Sequence, residues 1–138
     1  MHEVPLGEVL RRSSEPEKLN PAARYATVGV LSWGRGLFAR PVVRGADVSY
    51  STYYRIHSEQ FLHSKLFAWE GALAVVSPEF EGYYVSQEFP MFDIRESIAL
   101  PGYLNVLCSW PTLWAAFEPA KPAWAGEDDG YIRIDCWK

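Results

Sequence analysis

Residues 31–40, LSWGRGLFAR, hold Arg35 between Gly34 and Gly36, with Trp33 and Phe38 on either side. Glycines at those positions allow positive φ and leave room for close approach. A guanidinium carried on such a turn is a planar fork of donors, suited to a phosphate or to the O6/N7 edge of guanine. The turn equally fits a tight hairpin with a solvated arginine, because loops between strands are commonly polar and Gly-rich. Turn chemistry alone leaves both readings open.

Other reactive side chains form weaker constellations. The histidines stand at positions 2, 57 and 63, with Ser58 and Ser64 next to two of them. Adjacent residues on a strand point to opposite faces, so these neighbours make poor acid–base dyads. Glu79, Glu81 and Glu88 could pair across a cleft, and a solvated acidic face explains them as well. The chain carries no nucleophile elbow, phosphate-binding loop or dinucleotide fingerprint. Cys108 and Cys136 are too few for a disulfide framework, and no Cys/His pair stands at zinc-ligand spacing. Two reduced thiols, no metal and no cofactor are expected.

Charge narrows the search. The net charge is −4, yet between Arg24 and Lys65 there are six basic residues to two acidic, with His57 and His63 besides. Residues 72–138 hold four basic and ten acidic residues. A local basic face on an acidic chain can bind an anion, while the overall charge argues against tight nonspecific binding to nucleic acid. The basic stretch also carries Tyr25, Trp33, Phe38, Tyr50, Tyr53 and Tyr54, which suits a surface that contacts bases and phosphates. Most of these rings belong in a core, and about two are expected at the surface. Arg40, Arg44, Lys65 and Tyr53 are the candidate contacts beyond the Gly34–Arg35–Gly36 turn.

These side chains need elements to hold them. With 138 residues, 49% hydrophobic and 15% aromatic, the chain is expected to be a single domain (1–138) with a real core. No apolar run approaches the ~18 residues of a membrane span, and MHEVPLGEVLRR lacks a signal-peptide core. A cytoplasmic protein with no membrane partner is the expectation. PLGEVLRR (5–12) reads as a helical turn or a strand, and SSEPEKLNP as a polar loop. YATVGVLSW (25–33) and LFARPVVR (37–44) read as a hairpin, with Pro41 at an edge or bulge. TYYRIH (52–57), FLHSKLFAW (61–69), GALAVVSP (71–78), YYVS (83–86) and FPMFDI (89–94) read as further short strands. From 100 to 117 the apolar spacing changes to three and four, predicting two short helices divided at Pro111. The acidic GEDDG turn and a strand over YIRIDCW would close the chain. The class is α+β: a twisted, mostly antiparallel sheet or partial barrel followed by short C-terminal helices.

Three segments, YATVGVLSWGRGLF, FLHSKLFAWEGALAVVSPEFEGYYVSQEFPMFDI and PGYLNVLCSWPTLW, resemble in order the target-recognition domain of type I restriction–modification specificity (S) subunits. PLGEVLRRSSEP is similar to the usual opening of that family, so the resemblance covers roughly residues 4–117. It implies sequence-specific reading of double-stranded DNA and no catalysis: methylation by S-adenosylmethionine-dependent subunits, and cleavage, would reside in partners. Gly34, Arg35 and Gly36 would form a DNA-facing turn, Lys65 would meet phosphate and Trp69 would pack. Specificity subunits also carry a second recognition domain and long spacer helices, which this chain is expected to lack, and residues 118–138 are unlike the family. A truncated or half S subunit is the expectation. The alternative is an interaction module that docks on methyltransferase or intact specificity subunits without reading DNA. Trp110, Trp114 and Trp124 predict an apolar patch, covered by a partner such as a second copy of the chain or simply packed on the sheet.

Overall fold

β-Branched and aromatic runs, interrupted every few residues by Gly, Pro or Ser, produce eleven short strands among residues 5–117, the part that the structure, a computed structural model, describes. The chain opens with one helical turn, α1 (Leu6–Val9), which passes directly into β1 (Leu10–Ser13). β1 pairs antiparallel with β11 (Met91–Ile94), β11 with β8 (Phe61–His63), and β8 with β9 (Leu73–Val75). A second sheet runs β10 (Tyr84–Val85), β7 (Thr52–Arg55), β2 (Pro16–Lys18). Two ribbons complete the set: β3 (Arg24–Tyr25) with β6 (Val43–Arg44), and β4 (Val28–Leu31) with β5 (Gly36–Ala39). Every ladder is antiparallel, with one isolated parallel bridge from Thr27 to Tyr84. The sheets form no closed barrel among the described residues.

The two-residue period of a strand builds two cores from one sheet. Phe61 and its register partner Phe92 face α2 (Pro101–Leu107) and α3 (Pro111–Ala115), in a cluster with Leu6, Leu73, Leu104 and Leu113. Their neighbours Leu62 and Met91, also paired, face the other way into a cluster with Val28, Ile56, Val76 and Val85. The middle of the sheet is therefore buried on both faces. A third cluster is aromatic: Tyr25, Tyr53 and Tyr84 meet edge-on or tilted at 5.2–6.5 Å between ring centres. Prolines stand at the first helical position of both α2 and α3, where no backbone N–H is missed. The spacing-based prediction of two helices divided at Pro111 holds.

Four expectations need correction. SSEPEKLNP is not all loop, because residues 16–18 form β2 and pair with β7. Residues 25–33 do not make one strand: at Ala26 and Thr27 the chain turns aside, and Ala26 accepts a hydrogen bond from the Tyr84 N–H. Pro41 divides the return strand likewise, so β5 and β6 pair with different partners. The segment 61–69 leaves the sheet at Ser64. The Ser64 hydroxyl accepts the N–H groups of Leu66 (3.2 Å) and Phe67 (3.1 Å), and a 3-10 turn over Ala68–Glu70 ends on Gly71 at φ 90°. A side-chain oxygen that competes for backbone donors favours turn over strand. The expected GEDDG turn and YIRIDCW strand lie outside the described residues.

Candidate functional site

β4 and β5 close at the pair Leu31–Gly36, and between them Trp33, Gly34 and Gly36 all have positive φ (65°, 68° and 86°). Trp33 holds this conformation because the turn is clasped from outside the hairpin. Its N–H donates to the Glu70 carbonyl at 2.8 Å, and the Gly34 N–H donates to Gly71 at 3.0 Å. Ser32 Oγ donates to Glu70 Oε1 at 2.9 Å. A Cβ on Gly34 would stand 2.7 Å from Ser109 Cα and 2.8 Å from the Cys108 carbonyl. The room left by Gly34 is thus filled by the α2–α3 junction, whereas Gly36 has nothing within 4 Å of a Cβ. Arg35 is exposed; its Nε donates to the Ser32 carbonyl at 2.9 Å, and its terminal nitrogens have no partner among the described residues. It borders a recess of about 210 Å³ together with Gly36, Glu79 and Asn105.

Arg40 and Tyr53 come together elsewhere, on a groove of about 540 Å³ whose walls also include Tyr50, Phe67, Ser86 and Glu88. Arg40 is exposed and makes no ion pair among the described residues. Burial raises the Tyr53 phenol above its ordinary range, Tyr50 adds to this, and the Arg40 charge opposes it. Lys65 is exposed beside a smaller recess with Arg12, Ser13 and Gln87. Arg44 differs from the other candidates: Nε lies 3.2 Å from Asp47 Oδ2 in an exposed pair three residues apart. The expected site residues therefore fall into three neighbourhoods, the turn, the groove and the Lys65 recess, with Arg44 tied to Asp47. Sequence reasoning missed Arg12, which reaches over the Phe92 ring at 5.8 Å. The available signal was the Arg11–Arg12 pair on one strand, since alternation sends the two side chains to opposite faces. Of the six aromatics in the basic stretch, Trp33, Phe38 and Tyr50 are exposed.

Among the described residues, neither His57 with Ser58 nor His63 with Ser64 makes a hydrogen-bonded side-chain pair. His57 lies between two carboxylates, with Nε2 2.9 Å from Glu15 Oε1 and Nδ1 2.5 Å from Glu81 Oε2. Both contacts are hydrogen bonds only if both ring nitrogens carry protons, so the bond to Glu15 first and that to Glu81 next raise its pKa. Arg55 joins the cluster through Glu15, Glu17 and the Tyr84 hydroxyl. His63 is fully buried against Phe61, Phe92 and Phe117, donates from Nδ1 to the Ser64 carbonyl at 3.1 Å, and is pushed down to about 4 by burial. Burial pushes the Cys108 thiol up to about 12, which removes it as a nucleophile. Glu81 is committed to His57 and Ser58, so the three carboxylates do not assemble. No group of three metal-ligating side chains occurs among the described residues.

No protein-family model matches the chain, and no curated protein matches it. Solved structures do. The HsdS subunit from Thermoanaerobacter tengcongensis superposes with a TM-score of 0.63 at 23% identity, over 78% of this chain and 28% of that one. A chain from a structure of complex assembly and conformational transition of the type I R-M system gives 0.66 at 20% identity, over 96% and 34%. The chain thus spans about a third of the length of these solved chains. The likeness is one of fold.

Proposed function

We propose that the chain reads double-stranded DNA as the target-recognition module of a type I restriction–modification system. One observation carries the reading: the fold superposes on an HsdS subunit over 78% of this chain and on a chain of a type I R-M structure over 96%, and the ordered motifs resemble recognition domains of the same systems. The chemistry is compatible with it. Arg35, Arg40 and Lys65 are exposed, have no ion-pair partner among the described residues, and each borders a concavity. In this reading the chain does no chemistry; a methyltransferase subunit supplies methylation, other subunits supply cleavage, and the complex works in the cytoplasm. Gly34, Gly36 and Arg35 present the turn, Arg40, Arg44 and Lys65 hold phosphates, and Tyr53 contacts a nucleotide.

The test is selection of bound duplexes from a randomised pool by the purified chain at low and physiological salt. A short consensus enriched at both salts is expected. Recovery without sequence preference, or no recovery at low salt, would overturn the reading. A second reading, docking on a modification or specificity subunit without DNA contact, draws on one feature. Residues 97–117 contain no charged side chain, and Leu100 and Val106 of the α2 segment are about two-thirds exposed. Capture of a modification subunit by the chain, abolished by Leu100→Ser with Val106→Ser while duplex binding is unchanged, would favour it.

A further inference from the structure

The groove beside Arg40 is lined by two hydroxyl side chains without a hydrogen-bond partner among the described residues. Thr27 and Tyr53 are each only 8% exposed, both line the groove, and neither side chain makes a hydrogen bond with any described residue. The contrast with the rest of the tyrosine cluster is direct: Tyr25 accepts the Asn20 N–H at 2.8 Å, and Tyr84 bonds Glu17 at 3.0 Å. Hydroxyls that line an open groove without a protein partner are donors available to a ligand. Around them stand the exposed Arg40 and two exposed aromatic residues, Tyr50 (37% exposed) and Phe67 (49%), with Phe89 half-buried against the core. The Glu88 carboxylate, on the same wall, accepts from amino groups and repels a bare anion. The volume, about 540 Å³, is within the usual range for small-molecule sites, about 300–1,000 Å³.

We infer that this groove takes one nucleotide out of a base stack, its base against Tyr50 and Phe67 and its phosphate at Arg40. Thr27 and Tyr53 hydroxyls then donate to the base or sugar, and Glu88 accepts an exocyclic amino group. A flat ring, an anionic group and amino donors on one ligand meet the rings, Arg40 with the two hydroxyls, and Glu88 together. A bare phosphate meets Arg40 and the hydroxyls but neither the rings nor Glu88, and a plain apolar side chain meets only the rings. Aromatic stacking tolerates any base, so the groove adds grip and register while hydrogen bonds select. Extrusion of a single nucleotide is a known way for proteins to reach a base edge that the duplex hides. The inference rests on the DNA reading for its source of nucleotide, and the experiment separates the two.

The 15N-labelled chain is titrated with each of the four deoxynucleoside monophosphates, with inorganic phosphate as the charge-only control. Saturable shifts are expected at the amides of Thr27, Arg40, Tyr53 and Ser86 with at least one nucleotide and not with phosphate. Arg40→Gln should weaken that nucleotide about tenfold, as loss of a charge-assisted hydrogen bond does, and Tyr53→Phe about threefold with the ring retained. In parallel, duplexes that carry 2-aminopurine at successive positions of the selected site report unstacking by increased emission. Enhanced emission at one position, lost in Tyr53→Phe while melting temperature holds, assigns the nucleotide to the strand. Nucleotide shifts without duplex binding would refute the DNA reading and make the ligand a free nucleotide. Silence from all four nucleotides at the groove amides, or equal shifts from phosphate, overturns the inference even if duplex binding is strong.

Discussion

Arg35 is held by one bond, from Nε to the Ser32 carbonyl, which fixes the guanidinium plane and leaves its terminal nitrogens free of any described partner. Arg35→Ala removes little buried area, so folding should be unchanged. If the side chain meets a base edge, specific affinity falls by about 1–3 kcal/mol and preference relaxes at one position. A phosphate contact weakens every sequence alike, and titration of matched and mismatched duplexes tells the cases apart. Unaltered binding to both would remove Arg35 from the interface. The histidines make a second residue-scale prediction. His63 is pushed down to about 4, so the unfolded chain binds a proton more readily between about pH 6.5 and 4, and stability is lost as pH falls through that window. Glu81, lowered by the Ser58 N–H and then His57, acts in the same sense at the acid end. His57 has the opposite sign: its raised pKa makes its contribution complete below about 6.5 and lost as pH rises through the folded value. Thermal midpoints should therefore peak between the two limbs. His57→Gln should flatten the alkaline limb and lessen the acid one only by the part of the Glu81 shift that His57 supplies, leaving the His63 part in place. A profile identical to the parent would show that the Glu15–His57–Glu81 contacts are not formed.

At the scale of elements, the hairpin tip is positioned by the turn at residues 68–71 and the α2–α3 junction as much as by its own strands. Gly34 and Gly71 interlock: a Cβ on Gly71 would lie 2.8 Å from Trp33 N and 2.9 Å from Gly34 N. Both glycines also have positive φ, so alanine at either combines left-handed strain with backbone overlap. Gly34→Ala should destabilise by roughly 2–4 kcal/mol and Gly36→Ala, which has open space, by about 1 kcal/mol, as read from urea denaturation. Equal costs at the two positions would mean that the clasp against Cys108 and Ser109 is absent. The consequence for function is that a change in the late helices, far along the chain, should alter the pose of Arg35. The motif Gly-Arg-Gly was legible in the sequence, but Gly34 is required by both packing and conformation and Gly36 by conformation alone. That difference depends on a backbone seventy residues away.

For the whole molecule the decisive quantity is the spread of basic groups over an acidic chain. Arg35, Arg40 and Lys65 border separate concavities, and Arg44 is partly neutralised by Asp47. With about three phosphate contacts, log affinity against log salt should fall with a slope of roughly −3, at about 0.9 per phosphate. Arg40→Gln should reduce that slope by about 1. Random-sequence duplex should bind only weakly at physiological salt, on the order of 10⁻⁴ M, because a net charge of −4 opposes it. A slope steeper than about −6 would require a basic surface that these residues do not make.

The sequence by itself determined the class of the fold, the two late helices and the break at Pro111, because those depend on local properties: apolar spacing, β-branching and the missing N–H of proline. It determined as well the ordered motifs that resemble recognition domains. Only the tertiary structure decided how the strands group, since Phe61 and Leu62 are equally apolar and nothing local assigns them to different cores. It also decided that Arg40 and Tyr53 share a groove, that Lys65 stands with Arg12, that Arg44 pairs with Asp47 and that His63 is a buried neutral side chain. Charge and hydroxyl chemistry belong to single residues and can be read in order. Burial and partnership belong to pairs brought together across long stretches of chain, and they appear only once the chain has folded.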